Sequence, residues 1–321
     1  MYFKLLKIFL ICGILLSGYP APAQTPKVIF LTDFESKNPD PAGKNYSLWI
    51  PNQIMAPLVN SRFVTVVERN KLDALLKEQK LSQSDIIDPK TAIKFGKIIG
   101  AQKVVMGEYQ RTAKGKFDIS CRLIDIEKGI IDGQWITSDL KEKEIKKYTD
   151  EVASNVIKKL QTLYALERIA RLQNPDAPFS VFISAGKDTF HIGEMLNFSV
   201  EVDRSCYVML FDVGTSGRIH LLFPNKMQPN NYIKAGHKVW VENIVVNPPS
   251  GTEMVKAIAT LDSVSFGKMI ELASIQTTFL PLGEDTDQFA RDLDVMLSPL
   301  PQRRWATANL TFEIIEKKTN R

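Results

Sequence analysis

Residues 65–82, Thr-Val-Val-Glu-Arg-Asn-Lys-Leu-Asp-Ala-Leu-Leu-Lys-Glu-Gln-Lys-Leu-Ser, decide the first half of the fold, with Gly-Lys-Ile-Ile-Gly-Ala-Gln-Lys-Val-Val-Met-Gly-Glu-Tyr at 96–109 and Arg-Leu-Ile-Asp-Ile-Glu-Lys-Gly at 122–129. Phe63 to Val67 reads as a strand rich in Val and Thr. Asn70 then reads as a helix N-cap, and Leu72, Leu75, Leu76 and Leu81 form an apolar stripe. Asp88 with Pro89 starts a second helix by the N-cap and N1 preferences, with Ala92, Ile93, Phe95 and Ile98 turned inward and Gly100 at its end. Lys103 to Tyr109 and Lys116 to Ile126 form a hairpin about the polar turn 111–115, and Ile130 to Thr137 continues the meander.

Upstream, Val28 to Leu31 is a short apolar run suited to a strand buried on both faces. A polar loop, 35–44, follows it. Residues 46–60 read as a helix limited by two prolines, Pro51 suited to a first-turn position and Pro57 ending or kinking it. Downstream, Ile145, Tyr148, Val152, Val156, Leu160, Leu163 and Leu166 recur at steps of three and four, so 142–172 is one long helix. Its first half closes the α/β sheet; its second half, carrying Glu167, Arg168 and Arg171, is either more core or a stalk or partner surface.

The breakers of 173–178 form a linker between a domain at 24–172 and a second at 179–321. The second is strand-rich: Phe179–Ser184, Met195–Val202, Cys206–Val213, Arg218–Phe223, Lys238–Val246, Glu253–Thr260, Ser274–Phe279 and Ala306–Ile315. Short strands separated by regular turns predict a β-sandwich, with residues 285–298 as a small helical insertion. The fold class is therefore α+β in two domains: an α/β sheet covered by helices, then a sandwich. A chain of 321 residues has room for both, at roughly 100–200 residues each.

Residues 1–23 read as a cleavable export signal. Lys4 and Lys7 supply the positive start, Ile8 to Leu16 the apolar core, and Ala21-Pro22-Ala23 the cleavage site. That core is shorter than the roughly 20 residues a membrane-spanning helix needs, and Cys12 sits too early for lipidation. No later window is a transmembrane candidate. The expected location is the periplasm, with outer-membrane association or secretion as variants. Lys plus Arg number 41 against 36 Asp plus Glu, a balance without the clustered basic face of a nucleic-acid binder. Cys121 and Cys206 fall on strands of different domains and read as structural free thiols.

Motifs for chemistry are few. His191, His220 and His237 lack the spacing of a metal site. Gly96-Lys97-Ile98-Ile99-Gly100 lacks the Gly-Lys-Ser/Thr ending of a phosphate loop. Glu284, Asp285 and Asp287 suit a helix start, where the macrodipole favours negative charge. Asp33 with Glu35 is a poor acid–base pair beside a loop, and Glu68 with Arg69 reads as a pair holding the following helix. The expectation is no catalytic residue, no metal and no cofactor: a non-enzymatic protein working by contact. Tyr207, Phe223, Asn225 and Tyr232 are the candidate partner-binding residues, as exposed aromatics and their neighbours in sandwich loops, with Tyr207 alternatively in the core.

Residues 27–165 resemble the CsgG family, named after the curli-secretion channel, through Val66-Val67-Glu68-Arg69, the 72–81 helix, 96–101, Gly107 and Arg122-Leu123-Ile124-Asp125. That family includes lipoprotein activators of peptidoglycan synthases, and the N-terminal domain of the Tol-system propeller protein is similar. The resemblance implies an α/β sheet under helices and an envelope role. The channel members' membrane hairpins would need about 40 residues, at roughly 9–11 per strand, and the 109–117 connection holds only a tight turn. Residues 179–315 resemble domain of unknown function 4384, through His191-Ile192-Gly193-Glu194, Phe198–Val202, Cys206–Asp212, Gly217-Arg218-Ile219 and Leu222–Asn225; its members are modules of envelope or exported proteins. The resemblances imply an interaction or assembly accessory whose partners are secretion or cell-wall synthesis proteins, with an oligomer allowed. The alternatives are a glycan- or peptidoglycan-binding module and a CsgG-type channel subunit.

Overall fold

A computed structural model describes residues 26–38, 45–214, 217–248, 250–263, 278–283 and 285–316. The export signal at 1–23, Glu284, and parts of the 35–44 loop, the 214–217 turn and the expected 274–279 strand lie outside the described residues.

The first half is a six-stranded sheet between two helical layers. Its elements are β1 (Lys27–Leu31), β2 (Glu35–Ser36), α1 (Tyr46–Val59), β3 (Val64–Val66), α2 (Arg69–Glu78), α3 (Pro89–Ile98), β4 (Lys103–Arg111), β5 (Phe117–Asp125), β6 (Ile131–Leu140) and α4 (Ile145–Arg171). Strand order is β3-β1-β4-β5-β6, with β2 beside β4. The β3-β1-β4 part is parallel and the β4-β5-β6 part antiparallel. One face packs Val105, Cys121 and Leu123 under α1 and α4; the other packs Phe30, Val104 and Ile124 under α2 and α3. The β4–β5 connection is the short turn expected, closed by Thr112 N–H donating to Lys116 at 2.7 Å.

Three local readings are corrected. First, α1 runs through Pro51 and stops two residues after Pro57. Pro51 cannot donate to the Ser47 carbonyl one turn back, and the Phe34 N–H takes that acceptor at 2.9 Å, so the acceptor is not orphaned. Second, α2 begins at Arg69, capped by Glu68 without a side-chain bond, so Asn70 is already inside it. Arg69 anchors this start by pairing with Asp33, two residues past β1, rather than with Glu68. Third, Ile98 is 53% exposed, because α3 turns only Ala92, Phe95 and Gly96 fully inward. Asp88 does cap that helix, accepting from the Thr91 N–H at 2.8 Å.

The second half comprises β7 (Val181–Ser184), β8 (Thr189–His191), β9 (Met195–Val202), β10 (Cys206–Val213), β11 (Ile219–Phe223), β12 (Tyr232–Ile233), β13 (Lys238–Val245), β14 (Gly251–Thr260), β15 (Leu280–Gly283), α5 (Thr286–Leu297) and β16 (Trp305–Ile315). A seven-stranded sheet, β15-β11-β10-β14-β16-β8 with β12 on β10, faces a three-stranded sheet, β13-β9-β7. Their shared core holds Phe198, Val200, Val208, Leu210 and Phe312. The helical insertion is α5, whose Asp285 cap accepts from Gln288 N–H at 2.9 Å.

The second half of α4 does not project as a stalk. Ile169 is buried with Phe211, Met254 and Phe289 on the outer face of the large sheet. Arg168 pairs with Asp294 of α5, its Nε donating at 2.8 Å. The carbonyl end of α4 is received by the sheet: Lys256 Nζ and Thr307 Oγ1 donate to Leu172, and Asn309 Nδ2 to Ala170 at 2.7 Å. One helix thus belongs to both cores.

Candidate functional site

β6 is the open border of the first sheet. It runs ten residues and, among the described residues, pairs only with β5. Trp135 opposes Cys121 and turns toward the α4 face, which sends Ile136, opposite Ser120, to the other face. Ile136 is 67% exposed and Ile131 51%. The strand contains no Pro or Lys, and between the register shifts near its two ends the stretch Gly133–Thr137 pairs regularly with β5, so its outer backbone there offers a template for another strand. This border can bind by main-chain pairing, with Ile131 and Ile136 as apolar contacts.

A second surface is the outer face of the three-stranded sheet. Inward residues Leu196, Phe198, Val239 and Val241 leave Phe182, Met195, Trp240 and Val245 outward, each about half exposed. Trp240 lies across from Ser199, which lies across from Ser184. Lys238 Nζ stands 6.0 Å from the Trp240 ring centre and 3.7 Å from Glu201.

The four residues expected to bind a partner separate into two kinds. Tyr207 and Tyr232 pair across β10 and β12 with ring centres 5.1 Å apart, and Tyr232 is 42% exposed. Phe223 and Asn225 are not exposed anchors: both are buried. Phe223 faces the shared core of the sandwich. Asn225 is the hub of a turn, donating to the Leu222 carbonyl and accepting from the Met227 and Gln228 N–H groups, each at 2.9 Å. A loop side chain with every polar atom committed to local backbone has none left for a partner.

Several other charged groups are paired into scaffolding. Lys103 Nζ lies between Asp125 and Asp132 at 2.5 and 2.6 Å; burial would lower this amine, but the two carboxylates outweigh it and hold it above its ordinary value. The Asp33 and Glu35 carboxylates bind Arg69 and Lys37 respectively. Burial pushes the Cys121 thiol up, and Cys206 up to about 11; both are free thiols. Among the described residues no three His, Cys, Asp or Glu side chains converge as a metal site, and no helix is long and apolar enough to cross a membrane. His191 closes β8, His237 lies in a turn, and His220 sits on β11 with Nδ1 3.7 Å from Asp212. Burial raises the Asp212 carboxyl, with His220 pulling the other way.

Sequence reasoning missed β6 as a site, although a signal existed: with Trp135 assigned inward, strand alternation forces Ile136 out. It missed Trp240 for the same reason, since Val239 and Val241 flank it.

Comparison with known proteins agrees with the two sets of motifs. No curated protein matches the chain. Among solved structures it is similar to the LpoB C-terminal domain from Salmonella enterica, at 16% identity over 36% of this chain and 84% of that one, TM-score 0.31. It is also similar to the lipoprotein GNA1162 from Neisseria meningitidis, at 17% identity, 41% and 96% coverage and TM-score 0.31. TolB from Acinetobacter baumannii gives 11% identity, 74% and 48% coverage and TM-score 0.28. Residues 27–115 match the family model of the curli production assembly/transport component CsgG, and residues 189–263 that of a domain of unknown function, DUF4384, so the chain joins a CsgG region to a DUF4384 region.

Proposed function

We propose that this protein is an exported, non-enzymatic accessory of the bacterial cell envelope, which docks a secretion or wall-synthesis protein by strand addition at β6. The observation that carries the reading is the ten-residue border, which among the described residues pairs on one side only and exposes Ile131 and Ile136. Strand addition takes its affinity from main-chain bonds and its specificity from alternate side chains. The CsgG match over residues 27–115, which takes in β1 to β4 and ends before β5 and β6, supports an assembly or transport setting. On this reading residues 24–172 form the docking module and 179–321 a second module, joined by the linker and by the shared helix.

The test places a photo-crosslinking side chain at Ile136 and, separately, at Trp240 in intact cells. The expected result is one dominant envelope-protein adduct from position 136, lost from chains that also carry Ile131→Lys, whose melting temperature stays that of the parent. Adducts from position 240 only, or an adduct indifferent to Ile131→Lys, would refute docking at the border. A second reading, recognition of peptidoglycan or surface glycan, is favoured by one observation: Trp240, about half exposed, stands beside Lys238 on the outer face of the narrow sheet. Retention on purified, protein-stripped sacculi that Trp240→Ala abolishes would favour it over protein docking.

A further inference from the structure

The border strand β6 starts at the rim of a cleft between the two halves of the chain. Asp125 pins the turn that leads into it: its N–H donates to the Ile130 carbonyl and its own carbonyl accepts from the Gly129 N–H, each at 2.9 Å. Its carboxylate also accepts from the Lys128 N–H at 2.7 Å, and Gly129 supplies the left-handed φ of 71° that the turn needs. The next two side chains are thereby held with much of their surface in water, Ile130 44% and Ile131 51% exposed. Both line a cavity of about 650 Å³, to which α4 contributes Leu163 and Leu166 and β14 contributes Thr252 and Met254. That volume is within the range of ligand pockets, roughly 300–1,000 Å³.

The lining selects against charge. It holds five lysines and five aspartates or glutamates. Lys27 meets Glu167 at 2.6 Å, and Lys103 meets both Asp125 and Asp132. A lining without net charge gives an ionised group no Coulombic gain to offset its lost hydration. An uncharged apolar group covers Ile130, Ile131, Leu163 and Leu166 without that cost. The position of the cleft says what brings such a group. Ile131 and Asp132 are the first two residues of β6 and line the cavity, so a strand laid along the border reaches it by continuing on its own path. We infer that the segment docking on β6 is extended and runs on past Ile131, where it sets one large uncharged apolar side chain (Leu, Ile, Met or Phe) into the cleft. Main-chain pairing along the border holds the segment whatever its sequence, and the cleft supplies the selection. The inference rests on docking at β6 and adds the chemistry of the docked segment.

The test is made on the full chain in intact cells, with a photo-crosslinking side chain at Ile136 or at Leu163 and the attachment sites mapped by mass spectrometry of the crosslinked peptides. Ile131 and Ile136 are five residues apart, about 17 Å along a strand. The two positions should therefore capture one protein at two sites about 4–8 residues apart in a single stretch, at roughly 3.3 Å per residue. The site reached from 163 should be a large apolar residue or its neighbour. If the chain labelled at 163 does not fold, a label at Thr252, another residue of the lining, is read in the same way. Ile130→Lys, a change at an exposed turn, is expected to cut the yield from position 136 at least fivefold at an unchanged melting temperature, and Ile130→Leu to leave it intact. An adduct from 136 with none from the cleft, attachment sites in separate stretches, a charged residue in the cleft, or full yield with Ile130→Lys would each overturn this inference and leave docking at the border standing. No adduct from 136 would overturn both.

Discussion

Lys256 offers the sharpest stability test because its burial and its position pull in opposite directions. It stands mid-strand in β14 with no exposed surface, its amine donating to the Leu172 carbonyl at the end of α4. Burial brings the amine down to about 7, against 10.5 for an exposed lysine. Between those values the unfolded chain holds a proton that the folded chain lacks, so stability rises with pH, by 1.36 kcal/mol per unit at full effect. From pH 7 to 9 that is about 3 kcal/mol. The carbonyl end of a helix favours a cation by up to about 2 kcal/mol in partly buried settings, which shifts the rise to higher pH. The net gain expected from pH 7 to 9 is therefore about 1–3 kcal/mol. Lys159, also lowered by burial, adds in the same direction. The raised thiol of Cys206 acts the other way, removing stability as pH climbs above 9, so the window stops there.

Lys256→Met keeps the length of the side chain and removes the titration. It gives up one hydrogen bond, worth roughly 1 kcal/mol, while the Leu172 carbonyl keeps Thr307 as a donor at 3.3 Å. Urea unfolding at pH 7, 8 and 9 should show the variant more stable than the parent at pH 7, by about 2 kcal/mol. The advantage should shrink as pH rises. A parent whose stability is flat from pH 7 to 9, or a variant that retains the parent's slope, refutes the assignment.

Gly107→Ala should cost about 2–3 kcal/mol in urea unfolding, since an added Cβ would overlap the buried Phe34 ring and the Ser120 carbonyl oxygen. Phe34→Leu in the same chain should recover only part of that loss, because the carbonyl stays in place. Arg168→Met removes the α4–α5 ion pair at a half-buried site and should cost about 0.5–1 kcal/mol, with the loss fading at high salt. Melting temperature should be the same with and without reductant. Neither Cys121 nor Cys206 should react with a thiol reagent until urea is added, as they are buried in separate cores.

Most of the architecture was legible because it is written in burial period. The 3.6-residue stripe of α4 from Ile145 to Leu160 and the alternation Phe117, Ile119, Cys121, Leu123 each specify which face meets a core, and both hold. Local caps were less legible, since they depend on partners distant in the chain. Asn70 had the composition of a cap, but helix α2 starts earlier because Asp33, 36 residues away, receives Arg69. Pro51 looked like a limit because the donor that relieves it belongs to Phe34. Phe223 and Asn225 were misread for a related reason: a Pro-Asn break after a strand marks a turn, but composition does not tell whether the turn is folded inward. The bonds from Asn225 to 222, 227 and 228 show that it is.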